Sequence, residues 1–238
     1  MPKIGDEDAG VVWARLQRQI TDAAADIRAL PIDAVNGLSV LDRLGVSERS
    51  TMGALASHIG ALLVDHGWLR VLAGGSAPIP DIATANHLSG ASPLLLYIAE
   101  DVLGGRFAID GGGLGVAAGE VCYFGPDTLE WTGIGGGYSA FMAWALSGGT
   151  TDFYRDLRWD GWEVEVSALK LDHGISLYPP PFTREGQDVG ASFRAAVPIT
   201  ELHGFYSEAA SQLASVHAGE DFVIEISDDD DTRRPGLD

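Results

Sequence analysis

Between Leu94 and Leu146 the chain repeats one local theme: a short apolar run, a glycine-bearing turn, and another apolar run. The runs Leu94–Ala99, Arg106–Asp110 and Glu120–Phe124 are broken by glycine-rich turns, and a fourth run, Thr128–Thr132, follows Gly125-Pro126-Asp127. Short apolar runs bounded by Gly, Pro and Asp read as strands. Turns this short fit antiparallel neighbours, because parallel pairing needs a longer crossover. The stretch Tyr138–Leu146 reads as a helix laid against this meander. The pattern therefore predicts an α+β fold, a mainly antiparallel twisted sheet flanked by helices.

The flanks supply further elements. Val12, Leu16, Ile20, Ala23, Ile27 and Leu30 recur at spacings of three and four, which predicts one helix over Ala9–Leu30, stopped by Pro31. A polar loop follows, then a short helix over Ser50–Ser57. Ala61–Asp65 and Trp68–Leu72 read as strands joined at Asp65-His66-Gly67, where Gly67 permits the tight turn. A loop carrying Gly74, Gly75, Pro78 and Pro80 leads to a short helix ending near Asn86. Downstream, Asp152–Trp159 and Gly161–Leu171 read as helices broken at Asp160-Gly161, and Ile175–Tyr178 as a strand stopped by Pro179, Pro180 and Pro181. Ile199–His217 reads as an amphipathic helix with Leu202, Phe205, Tyr206, Ala209, Leu213 and Val216 on one side. With no Pro/Ser-rich linker inside, residues 1–226 are expected to form one domain. Residues 227–238, which include four consecutive aspartates from Asp228, are expected to be a disordered acidic tail.

At 46% hydrophobic content over 238 residues the chain can bury a sizeable core. It holds no apolar run long enough to span a membrane, and its N-terminus lacks the apolar segment of a signal peptide. The single cysteine, Cys122, has no internal partner, which suits a reducing cytoplasm. The net charge of −19 argues against nucleic acid and anionic membranes as partners. It fits either a basic protein partner or ordinary solubility.

The candidate chemistry is sparse. Gly111, Gly112, Gly113 and Gly115 follow a strand as a dinucleotide loop would, but the next segment reads as a strand, not the helix whose N-terminus receives a pyrophosphate. Gly133–Gly137 precedes a helix without the Lys-Ser/Thr of a P-loop, so turns account for both clusters and no cofactor is expected. None of the six histidines pairs with another at helical spacing, and no Cys-x-x-Cys is present, so no metal site is expected. Cys122 sits inside an alternating strand, where a buried apolar role fits better than a nucleophile. The absence of a Gly-x-Ser-x-Gly elbow leaves a serine hydrolase without an anchor.

Phe153–Val166 is denser in side chains that grip ligands. Arg158 with Trp159 and Trp162 suits either a ligand-binding patch or an aromatic face packed on the sheet, with Arg158 bridging to an acid. Trp68-Leu69-Arg70 and Trp131 carry the same two readings. The candidate ligand or partner surface is Asp65, His66, Trp68, Arg70, Arg158, Trp159 and Trp162. No catalytic residue is assigned.

Asp65–Arg70, Asp101–Ile109 and Asp127–Trp131, with the later blocks Phe153–Trp162 and Gly174–Pro179, resemble the DUF2625 family of bacterial proteins, a likeness running from about Leu38 to Leu213. That resemblance implies no activity. Phe107–Gly111, Gly119–Phe124 and Tyr138–Met142 are locally similar to the SUKH superfamily. This second resemblance implies an α+β protein that acts by binding, as immunity proteins do when they neutralise toxins. The leading expectation is thus a non-catalytic cytoplasmic binding protein with a basic partner. The alternative is an enzyme or small-ligand-binding protein with a pocket among His66, Arg70, Arg158 and Trp162. Whether those four side chains converge separates the two, and the oligomeric state is left open.

Overall fold

A computed structural model describes residues 8–33, 37–88 and 93–214, apart from the side chains of 37 and 38. Its central feature is a seven-stranded antiparallel meander in which each strand pairs with its neighbours in sequence. The strands are β1 (Ile27–Leu30), β2 (Ala61–Val64), β3 (Leu69–Leu72), β4 (Leu95–Asp101), β5 (Arg106–Asp110), β6 (Val121–Phe124) and β7 (Trp131–Gly133). A separate hairpin joins β8 (His173–Tyr178) to β9 (Phe193–Pro198). The helices are α1 (Ala9–Thr21), α2 (Gly37–Leu44), α3 (Thr51–His58), α4 (Ile82–Ala85), α5 (Tyr138–Leu146), α6 (Gly149–Phe153), α7 (Trp162–Ser167) and α8 (Ile199–Leu213). The molecule is an α+β fold with an open antiparallel sheet flanked by helices, as the meander pattern predicts.

The two faces of the sheet are covered differently. The inner face carries Leu62, Leu69, Val71, Phe107 and Tyr123, all buried in the main core. Phe107 meets the rings of Phe141 and Trp144 from α5 and of Phe153 from α6, at 5.1, 5.9 and 6.0 Å between centroids. Helices α1, α3 and α5 pack together on this side, with Trp13 stacked on His58 at 4.2 Å. The outer face carries α8, whose Leu202 and Tyr206 join Phe124 in a second, smaller core. Gly104, at φ +89°, lies under α8, where an added Cβ would sit 2.8 Å from the Leu202 Cβ. A side chain there would both strain the backbone and push the helix off the sheet.

Several sequence expectations shift. The predicted helix over Ala9–Leu30 stops at Thr21, capped by Asp22, and Ile27–Leu30 becomes edge strand β1 paired with β2. The exposed edge of β2 offers ladder hydrogen bonds that override the helical spacing of Ile27 and Leu30. The predicted polar loop before Ser50 contains α2, which buries Val40 and Leu41. The predicted strand Thr128–Thr132 begins only at Trp131, because Leu129 at φ +56° belongs to the turn. The two predicted helices after Asp152 shorten to α6, a 3-10 turn over Arg155–Leu157, and α7, with the break at Gly161 as expected. Strand β9 was not anticipated, because its Phe-Arg-Ala-Ala-Val run is exposed and lacks apolar alternation. Val216, His217 and the acidic segment 227–238 lie outside the described residues.

Candidate functional site

Two groups of side chains concentrate charge, one tied to each face of the sheet. The first contains most of the sequence-predicted surface. Asp65, His66 and Gly67 form the β2–β3 turn, all at positive φ (50°, 59° and 90°). This turn points the buried Asp65 carboxylate at Arg158, whose Nη2 donates to Oδ2 at 2.7 Å; the buried Thr150 hydroxyl donates to the same oxygen. The Arg158 guanidinium lies 4.0 Å from the Trp162 ring and 4.9 Å from that of Trp68, so it is caged as well as paired. Trp159 donates from Nε1 to Glu165, which also accepts from Arg194. His66 stands at the rim, 40% exposed, 3.8 Å from Asp26 and edge-on to Trp162.

Thus Asp65, His66, Trp68, Arg158, Trp159 and Trp162 gather in one place, and Arg70 does not join them. Successive strand residues point to opposite faces, so Arg70 lies on the outer face beside Glu100, and its Nη1 donates to the Leu171 carbonyl at 2.8 Å. A depression of about 390 Å³ beside Arg158 is lined by three more residues of interest, Arg155, Trp159 and Arg194. Its arginines already hold acids: Arg155 pairs with Asp152, Arg158 with Asp65, and Arg194 with Glu165. Charges satisfied in this way leave little for a ligand.

The second group was not predicted. The outer face of β3, β4 and β5 presents Arg70, Glu100 and Arg106 in register, with Glu100 opposite both arginines. The β4–β5 turn that creates this alignment is built by Asp101. Its Oδ1 accepts from the backbone N–H groups of Leu103 and Gly105, and its Oδ2 accepts from the Tyr123 hydroxyl at 2.8 Å. Above this row lies a cleft of about 710 Å³, within the range of small-molecule sites. Leu72, Ile79, Pro80, Leu171 and Ile199 make its apolar walls, while Tyr97, Glu100, Arg106 and His203 supply polar groups.

The polar groups are poised rather than paired. Burial pushes the Glu100 carboxyl up to about 7, over the opposing pull of Arg70 and Arg106. Burial, aided by the Arg106 charge, brings His203 down to about 4. The Glu100 and His203 side chains keep only 17% and 20% exposure, and His203 Nε2 lies 3.6 Å from Glu100 Oε2. The contact is therefore not an ion pair at neutral pH. A neutral imidazole faces a carboxyl near its titration midpoint, just beyond hydrogen-bond reach. Arg106 lies 5.1 Å from the Tyr97 ring and 5.4 Å from that of Phe124, and gives one N–H to the Ser207 hydroxyl. Its Nε and the His203 Nε2 are buried without hydrogen-bond partners. Two groups with perturbed proton affinity, a cation and open polar valences in one cleft are the ordinary signature of a functional site.

The remaining sequence candidates have structural roles. The Gly111–Gly119 stretch folds back over Asp110, whose Oδ1 accepts from the N–H groups of Gly112, Gly113 and Leu114. Burial raises the Asp110 pKa, but those donors outweigh it and the net shift is downward. Cys122 is fully buried, and burial raises its thiol pKa further. Among the described residues no group of three or more His, Cys, Asp or Glu side chains is placed to hold a metal ion, and no helix is long and apolar enough to cross a membrane.

Glu100 and Arg106 had a readable signal. Both flank the hairpin turn Asp101–Gly105, so pairing the strands predicted on either side sets them face to face. His203 had none, because it arrives from α8, far along the chain.

The model of a family described as "Protein of unknown function DUF2625" matches residues 5–202. The chain is 35% identical over 201 residues to the putative uncharacterized protein YbfG of Escherichia coli (strain K12), covering 84% of this chain and 91% of that protein. It is 32% identical over 163 residues to an uncharacterized protein of Haemophilus influenzae, covering 66% of this chain and 72% of that one. A match this long, reaching from before α1 into the first turn of α8, means that the chain belongs to the DUF2625 family.

Proposed function

We propose that this protein binds a small molecule in the outer-face cleft, with Glu100, Arg106 and His203 making the polar contacts. One observation carries the reading: a proton-poised carboxyl, a neutral imidazole and a guanidinium with an unpartnered Nε converge in an apolar-walled cleft. Proton transfer from Glu100 to His203 would run uphill, because the carboxyl titrates near 7 and the imidazole near 4, so the pair suits binding rather than a proton relay. A fragment screen read by protein NMR tests this. Binders are expected to shift Leu72, Ile79 and Ile199. A screen with no hits, or with hits only around Trp159 and Trp162, overturns it.

A second reading rests on the net charge of −19. An acidic cytoplasmic protein is suited to cover a basic protein, such as a toxin held by its immunity partner, with charge raising the association rate. Pull-down at low salt with basic proteins encoded nearby is expected to capture a partner that salt releases. Capture that ignores salt contradicts this reading.

A further inference from the structure

The cleft's charges narrow the kind of molecule it accepts, an inference that rests on the small-ligand reading above. Two guanidiniums flank Glu100 in register, but only one is open. Arg70 is 2% exposed and already donates to the Leu171 carbonyl. Arg106 lines the cleft, has a hydroxyl as its one side-chain acceptor, and keeps a buried Nε with no partner. The nearest anion is Glu100, which is itself half-protonated near neutrality, so Arg106 lacks a full counter-charge there. The other ionisable groups at the cleft do not supply one. Asp172 turns to the His173 ring at 2.7 Å, Asp101 is consumed in the β4–β5 turn, and His203 is neutral. Pro198, Ile199 and Thr200, at the start of α8, line the same space; α8 has no side-chain cap and carries Glu201 in its first turn. Thr84, His87 and Tyr97 are the other polar side chains on the lining, and the remaining walls are hydrocarbon.

We infer that the cleft takes an amphipathic monocarboxylate: its carboxylate on the Arg106 guanidinium and accepting a hydrogen bond from the Glu100 carboxyl, its apolar body against Leu72, Ile79 and Ile199. One open guanidinium matches one planar carboxylate, whereas a phosphate dianion would bring a charge that no second open cation balances. The bound anion favours the protonated form of Glu100, so binding takes up a proton.

Calorimetry of the full-length protein with octanoate and 3-phenylpropanoate, each beside its amide and its amine, tests the inference. The carboxylates are expected to bind at least tenfold tighter than the matched amides and amines. In buffers of differing ionisation heat at about pH 7.5, proton uptake is expected, and it should vanish in Glu100→Gln while binding persists. Arg106→Leu is expected to weaken the carboxylates at least tenfold more than it weakens the amides. Should that variant fail to fold, the amide comparison and Glu100→Gln carry the test. Amides or amines that bind the cleft as tightly as carboxylates overturn the inference and leave the small-ligand reading standing. If no compound of any of the three classes binds, that reading falls as well.

Discussion

The Arg158 cage and the Glu100–Arg106–His203 cleft are built from similar side chains and do opposite things. In the cage, the buried Asp65 and the largely buried Arg158 are 2.7 Å apart, with Thr150 on the same oxygen and tryptophan rings on the cation. Both regions keep buried N–H groups without partners, Arg158 Nε and Trp68 Nε1 in the cage and Arg106 Nε in the cleft, but Arg158 holds a carboxylate whereas Arg106 donates only to the Ser207 hydroxyl. The cage ties the β2–β3 turn to the segment between α6 and α7. The cleft keeps its polar capacity for something else. What separates the two is the counter-charge: Arg158 has one in Asp65, and Arg106 has only a hydroxyl.

The largest effect separating the two regions should come from Arg158→Leu. It leaves the Asp65 carboxylate buried without its partner, and the expected loss is about 3–5 kcal/mol by chemical denaturation. A loss under about 1 kcal/mol would mean the cage is an ordinary surface pair.

Next in size is the pH dependence built into the cleft. Glu100 has a raised folded pKa, about 7 against an ordinary 4.5, so its contribution to stability is complete below 4.5 and lost as pH rises through 7. His203 has a lowered folded pKa, about 4 against 6.5, so its contribution is complete above 6.5 and lost as pH falls through 4. Between 4.5 and 6.5 the two slopes oppose and nearly cancel. Glu100→Gln should uncover the histidine slope, stability rising by about 3 kcal/mol from acid to neutral pH. His203→Gln should show the reverse slope. Denaturation midpoints across pH check both, and parallel profiles for the two variants would refute the pairing.

Arg106→Met should cost only about 1 kcal/mol, since it removes ring contacts and strands no buried partner as fully as Arg158 does. A loss matching that of Arg158→Leu would make Arg106 a structural residue. Smallest is His66→Ala at the exposed rim of the cage, expected to change stability by under about 0.5 kcal/mol.

Much of the scaffold was legible because it is local. Glycines and prolines punctuate the meander at each reversal, and Asp65-His66-Gly67 announces its hairpin. What failed depended on distant partners: Ile27–Leu30 became a strand because β2 had a free edge, and β9 pairs with β8 without an apolar pattern of its own. The sites divide similarly. The cage reads from Trp-rich segments that attract attention, whereas the cleft needs β3, β4, β5 and α8 brought together in space. Arg70 belonged to the second group and was placed with the first, because strand alternation sends it to the opposite face from Leu69.

The most direct test of this contrast is a carbon-13 NMR titration of the Glu100 carboxyl. A midpoint close to 7, with the His203 ring titrating near 4, is the expected result. A Glu100 midpoint near the ordinary 4.5 would mean its charge is already satisfied, like that of Asp65, and would contradict the assignment of the cleft as the functional site.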